Sequence, residues 1–392
     1  MTLPDAVRVL SAVDPTAVDG LVGDAPVVAI GENNHGIREF GELRDRLVRY
    51  LVRERGFGVV GLESGFAEGA LVDEWVRGSG TPWDDVARDG FTFRAGDHPE
   101  MRTLLEGLRE YRSADSTVRF AGLDLPGSGG SPEPALRRLR DLVPDVVDRA
   151  LEATAAYAAA NNGLAPGRWS ALDAATQDAA TTALARVLLG VEALRRPPED
   201  ARHLALGALR LDEQLREFGV LFAPDPPARV VSSRDVYMAE SARRLRASGE
   251  KVVLLLHNGH AQRVPFAFLP GVSAPSAGTL LAETFGDDYV VLGITAVGGS
   301  TTGLALDDGA RHGIVLSTDA LPEPAPDSVE QAVVDAGLGA EPVLLDLRAA
   351  RGATGPASIR HATTHIPVDV AAGYDAVFCL PTQSVSAAAD AG

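Results

Sequence analysis

Hydrophobic positions along this chain follow two patterns: short unbroken apolar runs, and longer stretches with an apolar residue every three or four positions. The runs Val27–Ile30, Val59–Leu62, Val118–Leu123 and Val252–Leu256 lack the alternation of a half-solvated sheet. They predict strands covered on both faces, as in a parallel sheet between helices. Phe40 to Glu54 places Phe40, Leu43, Leu47, Tyr50 and Leu51 on one face, and Met101 to Arg112 does the same with Leu104, Leu105, Leu108 and Tyr111. Both are expected to be amphipathic helices. The alternation from Pro26 to about Leu125 implies βαβ units. Further strand signals lie at Tyr289–Val297, Pro342–Leu347 and Asp375–Leu380. The residues up to about 22 predict a helical lead-in, with Val7, Leu10 and Val13 on one stripe.

The Gly/Ser/Pro cluster Gly127–Pro132 interrupts this rhythm. Beyond it, Ala, Leu, Arg and Glu at helical spacing predict helices at about 133–160, 170–195, 199–219 and 233–248, with Asn161-Asn162-Gly163 and Pro197-Pro198-Glu199-Asp200 as stop and start signals. The expected fold class is α/β. A central, mostly parallel sheet is flanked by helices, and an inserted helical region forms one side of the active-site cleft. Residues 1–130 and 228–383 would build the core, 131–227 the insertion, and 384–392 a disordered low-complexity tail.

Composition narrows the partners. The 392 residues are 45% hydrophobic, enough for a sizeable core, and the formal charge of −18 lacks the basic footprint that nucleic acid or an anionic membrane requires. The one cysteine, Cys379, sits in the apolar run Ala376–Leu380, so a disulfide frame and a thiolate metal site are not expected. The start shows no basic stretch followed by an apolar one, and no run reaches the ~20 apolar residues of a membrane span. A cytoplasmic protein with a small-molecule partner is expected; oligomeric state is left open.

The chemistry collects where the apolar runs end. The first ends on Gly31-Glu32-Asn33-Asn34-His35-Gly36, the second on Glu63, the third on Asp124 and the fourth on His257-Asn258-Gly259-His260. In open α/β sheets the ligand crevice lies at the carboxyl ends of the strands. His35 suits a general acid or base, since imidazole titrates near neutrality, or it caps a turn. Glu63 directly after a buried strand is costly unless paired or used. It either shares a site with Glu32 or forms a buried salt bridge with Arg44 or Arg234. Arg44 is a solvated charge or the counter-ion of the carboxylates, and Asp124 a site residue or a turn. Asn258 is suited to orienting a ring or a substrate carbonyl.

His257 and His260 offer two ligands that zinc ordinarily takes, but without the flanking Glu of H-E-x-x-H. A metal-free pair that activates water and stabilises an oxyanion is the other reading. Ser232-Ser233-Arg234-Asp235 opens a helix whose first turn is expected to face the site, with Met238 in the core. His361 and His365 have H-x-x-x-H spacing, but Pro367 argues against a helix, so they read as a non-metal loop near the cleft. His98, His203 and His312 stand alone and are expected at the surface. No G-x-S-x-G elbow or Walker loop is present.

Taken together, these segments resemble the erythromycin esterase family, which includes succinoglycan-biosynthesis-like proteins. The family pattern G-E-x-x-H-G-x-x-E-F is matched by Gly31–Phe40, and L-E-x-x-F by Leu62–Phe66. R-D-x-x-M-A is matched by Arg234–Ala239, and H-N-x-H by His257–His260. The four motifs span roughly residues 25 to 295. The chain departs from the pattern at Asn34, where Ser or Thr is usual, and at Leu254–Leu256, where a Trp commonly precedes H-N-x-H.

The resemblance implies a hydrolase with a mixed central sheet that cleaves an ester with water and no metal or other cofactor. It implies that His35, Glu63, His257 and His260 are essential, with Glu32 and Arg44 supporting them. The leading expectation is a metal-independent hydrolase of an ester or lactone, of antibiotic or secondary-metabolite type. His35 or His257 would activate water, Glu63 would orient the base, and His260 and Arg234 would face the oxyanion. The same groups would also serve elimination, cyclisation or epimerisation in biosynthesis, and H-x-x-H leaves a metal- or haem-binding protein as a third reading.

Overall fold

The computed structural model describes residues 2–12, 14–112, 117–158, 162–221, 227–269 and 271–387. Nine strands form the main sheet among these residues: β1 (Arg8–Ser11), β2 (Val27–Ile30), β3 (Phe57–Gly65), β4 (Arg119–Asp124), β5 (Lys251–Leu255), β6 (Tyr289–Leu306), β7 (Ile314–Ala320), β8 (Val343–Asp346) and β9 (Ala376–Gln383). Their order is β1-β8-β9-β6-β2-β5-β3-β4, with β7 paired to the outer half of β6. The strands from β9 to β4 run parallel, and β8 and β1 add an antiparallel edge.

The unbroken apolar runs are explained by cover on both sides. Val28, Ile30, Val253 and Leu255 enter one core with the helices α1 (Arg38–Arg55) and α2 (Pro99–Tyr111). Val27, Ala29, Val252 and Leu254 enter a second core on the opposite face. Between β4 and β5 the described chain is helical and includes α3 (Ala174–Glu192), α4 (Ala201–Leu221) and α5 (Ser233–Ala247). Asp173 and Ser232 cap α3 and α5 by accepting backbone N–H bonds from Thr176 and Asp235. No helix among the described residues is long and apolar enough to cross a membrane.

Several expectations are corrected. The lead-in opens with strand β1, because β8 offers an unpaired edge, and is helical only over Pro15–Val18 and Asp19–Val22; Val7 and Leu10 pack on opposite faces of the sheet. Val13 lies outside the described residues. The helix expected over 133–160 is broken into Glu133–Leu139 and Pro144–Thr154, since Pro144 has no N–H to continue a helix but suits the first turn of a new one. Residues 159–161, Asn161 of the stop signal among them, lie outside the described residues. The strand at Tyr289 does not end at Val297 but continues to Leu306 and returns as β7, forming a hairpin arm. Ser384 donates from its backbone N–H and its hydroxyl to Glu39, and the Ser386 N–H donates to the Gly36 carbonyl. Residues 388–392 lie outside the described residues.

Candidate active site

Four adjacent parallel strands, β2, β5, β3 and β4, deliver their carboxyl ends to one crevice. Glu32 follows β2 and is almost fully buried. Its Oε1 accepts from Arg44 Nη1 at 2.6 Å and from His35 Nδ1 at 2.8 Å. Arg44 points inward from α1 and also donates Nη2 to the carbonyls of Ile30 and Leu256, tying β2 to β5. Arg44 is therefore the buried counter-ion of Glu32, not a solvated charge.

Glu63 sits near the end of β3 with both oxygens engaged. Oε2 accepts the His257 backbone N–H at 2.6 Å. Oε1 meets Arg234 Nη2 at 2.8 Å, His260 Nε2 at 3.5 Å and His35 Nε2 at 3.7 Å. Arg234, in the first turn of α5, also grips Asp124 through Nε and Nη2, with the shortest contact at 2.7 Å. The same Asp124 accepts the Leu125 N–H, so it serves both the ion pair and the turn. His260 Nδ1 donates to Asp235 at 2.7 Å, while Arg234 Nη1 lies 3.3 Å from its Nε2.

These contacts set the charges. Burial opposes ionisation of Glu63, but His260, the His35 hydrogen bond and Arg234 outweigh it and hold the carboxyl well below the usual range. Burial likewise opposes charging of His35, yet bonds to Glu32 and Glu63 push it up to about 10. Half of the His35 side chain is open to the cavity, so solvent screens part of that attraction. His260 is raised against its burial by Asp235 and then Glu63.

His257 differs from both. Its Nε2–H donates to the Asn33 carbonyl at 2.8 Å, and its Nδ1 accepts the Gly259 N–H at 3.1 Å. Burial and the neighbouring rings of His361 and His35 hold it well below its usual range. It is a neutral ring with both nitrogens committed to backbone. The carbonyl that receives it is itself anchored: Asn33 Nδ2 donates to Gln383 and Thr295, and the Thr295 hydroxyl donates to buried Glu330.

Asn258 stands behind the site instead of in it. Its amide pairs at both ends with the backbone of Ile294, clipping the end of β5 to β6, so it orients neither a ring nor a substrate carbonyl. A Cβ on Gly31 would lie 2.1 Å from Asn258 Oδ1 and 3.3 Å from its Cα. Gly31→Ala is therefore expected to cost about 1–3 kcal/mol through overpacking, read by urea unfolding.

The large cavity, about 400 Å³, opens over His35, Glu63, Arg234, His257 and His260. Gln214, Phe218 and Leu221 of α4 wall one side, and Thr302, Leu304 and Leu316 of the hairpin arm the other. His361 also lines it, 4.3 Å from the His257 ring between centroids. It sits on a short β-hairpin, Ser358–His361 with Thr364–Pro367, not in a loop.

Sequence reasoning missed two cavity-lining residues. His98 was expected at the surface but lines the cavity, packed against Gly36, whose Cβ would come within 2.8 Å of its ring. Gly36, at φ +68°, is the signal that marks this close approach. Phe93 lies beneath Arg234, 5.6 Å from the guanidinium carbon. Two further surface expectations are also corrected. His203 is buried, stacked on Tyr237 at 4.4 Å and paired with Ser241, and burial pushes it down to about 3. His312 is half-buried. Among the described residues, no group of three or more His, Cys, Asp or Glu is placed to hold a metal ion.

Buried carboxylates, imidazoles and a guanidinium thus gather at the carboxyl edge of a mostly parallel sheet in a protein of α/β architecture. The sequence profile of the family described as erythromycin esterase matches residues 52–382, and the chain belongs to that family. It is an esterase-like hydrolase. It is 28% identical over 391 residues to an erythromycin esterase type II from Escherichia coli, covering 93% of this chain and 91% of that one. Identity to an Escherichia coli erythromycin esterase type I is 25% over 386 residues, covering 92% and 91%. Among solved structures, a histidine-to-asparagine mutant of erythromycin esterase EreC in its open conformation superposes with a TM-score of 0.79 at 22% identity, covering 98% and 99% of the two chains. A succinoglycan biosynthesis protein superposes with a TM-score of 0.71 at 20% identity, covering 97% and 95%. These two likenesses carry the fold alone.

Proposed function

We propose that this chain hydrolyses an ester or lactone without a metal, and that His35 moves the proton. The observation that carries this reading is the contrast between two imidazoles. His257 has both nitrogens bound to backbone, whereas His35 has Nδ1 on Glu32 and turns Nε2 to the cavity, 3.7 Å from Glu63.

Water between His35 Nε2 and the acyl carbon gives its proton to the ring as its oxygen forms the new bond. Glu32, held by Arg44, stabilises the imidazolium. Arg234 Nη1 and His260 Nε2 present positive charge to the oxygen that becomes negative. The acyl–oxygen bond then breaks, and the ring returns the proton to the leaving alkoxide. The relatives named for erythromycin favour a lactone or ester of antibiotic or secondary-metabolite type.

A base must be neutral to accept a proton, and both carboxylates hold His35 charged. The kcat/KM for ester hydrolysis is therefore expected to rise with pH above neutrality. The test is hydrolysis of a macrolactone and simple-ester panel in ¹⁸O-labelled water with a strong chelator present. One labelled oxygen in the acid product, at an undiminished rate, supports the proposal. Unlabelled product, or activity abolished by the chelator and restored by a metal, would overturn it.

A further inference from the structure

A second, smaller chamber lies on the other side of His35 and Glu63. Its volume is about 80 Å³, against about 400 Å³ for the large cavity. The two share four residues, His35, Glu63, Phe93 and His98, which form the wall between them. Three of the four are polar, and the buried His98 Nδ1 has no hydrogen-bond partner among the described residues. Leu62, Leu104 and Leu255, with half-buried Met101, supply the apolar part of its lining, and Glu32, Arg44 and Glu100 line it as well.

We propose that this chamber receives the acyl chain of the substrate, so that the enzyme selects esters of short, unbranched acyl groups. The inference rests on the hydrolytic reading above. The attacked carbon must lie at the shared wall, within reach of His35 and Glu63, so the two halves of an ester enter different chambers. The polar shared wall and the leucines and Met101 of the lining match a carbonyl followed by an alkyl chain. A water-sized group fills roughly 10–15 Å³ of such space, so the chamber holds about five to eight such groups, an acyl group of about four to seven carbons with its carbonyl oxygen. The alcohol half, which must depart, occupies the larger cavity bordered by the hairpin arm and α4. The acid product forms beside Glu32 and Glu63, whose charges repel a carboxylate and favour its release.

p-Nitrophenyl esters from acetate to octanoate test this on the intact protein. A methylene that a pocket excludes is worth about 10–200-fold in kcat/KM. The expected result is a fall of at least about tenfold from butanoate to octanoate. Met101→Ala and Leu104→Ala, which enlarge the chamber, should each raise the octanoate-to-butanoate ratio by about tenfold or more. Met101 is only half-buried, so its variant keeps the test sound if Leu104→Ala unfolds. A flat chain-length profile, a ratio unchanged in Met101→Ala, or a length cutoff on the alcohol side would overturn the acyl assignment while leaving hydrolysis standing. No hydrolysis of any ester would overturn both.

Discussion

Replacing His35 by alanine is expected to lower kcat/KM for ester hydrolysis by about 10²–10⁴-fold, the usual contribution of a positioned general base. The loss should fall mainly on kcat, because the ring acts on the proton in flight more than on the bound substrate. His35 is open on one side and anchored mainly through Glu32, so the fold should survive its removal. Glu32→Gln tests the same arrangement from behind. It keeps a hydrogen-bond acceptor for Nδ1 but removes the charge that stabilises the imidazolium. His257→Asn is the instructive control: it removes a buried ring that holds the Asn33 carbonyl, so it should lower stability together with activity. Steady-state kinetics on refolding-competent protein separates the two. Full activity in His35→Ala would end the mechanism.

Arg234→Met is expected to be the most destabilising single change at the site, by about 3–5 kcal/mol. Arg234 faces two carboxylates, and the Glu63 and Asp124 side chains are only 3% and 2% exposed. Removing the guanidinium leaves Asp124 buried with its main partner gone and takes one of several partners from buried Glu63, which costs far more than a surface pair is worth. Arg234→Lys should recover only part of the loss, because an ammonium cannot span both carboxylates as the planar fork does. The double variant Asp124→Leu with Arg234→Met should regain roughly half of the lost stability by removing one of the stranded charges, yet remain inactive. Urea unfolding monitored by circular dichroism gives these differences. A loss below about 0.5 kcal/mol for Arg234→Met, the ordinary range of a neutral surface change, would contradict the arrangement described.

Much of this site was legible in the sequence because covered parallel strands leave unbroken apolar runs, and the residue after each run lands at the crevice. Glu32, Glu63, Asp124 and His257 were found that way. Arg44 was legible only as an open alternative, since a helix-borne Arg looks the same whether it faces water or a carboxylate. The hairpin arm was not legible: Leu304, Leu306 and Val315 stand exposed on it, so no burial pattern marks the strands. Strand β1 was masked because Val7 and Leu10 suit a helical stripe as readily as opposite sheet faces. His98 had no motif neighbour, and its place at the site comes from α2 packing beside the turn at Gly36. The choice between His35 and His257 could not be read from spacing at all. It depends on the Asn33 carbonyl and the Gly259 N–H, backbone groups that every sequence supplies and only the fold aims.

The central claim is that His35 is held between two carboxylates with its outer nitrogen turned to the cavity beside Glu63. A ¹⁵N NMR titration of the histidine rings tests it most directly, in the wild type and in Glu63→Gln. His35 should titrate well above 6.5, bound through Nδ1 to Glu32, and should move downward when the Glu63 charge is removed, while His257 stays a neutral Nε2–H ring throughout. A His35 that titrates at its ordinary value in both proteins, or a His257 that takes up a proton near neutrality, would contradict the account.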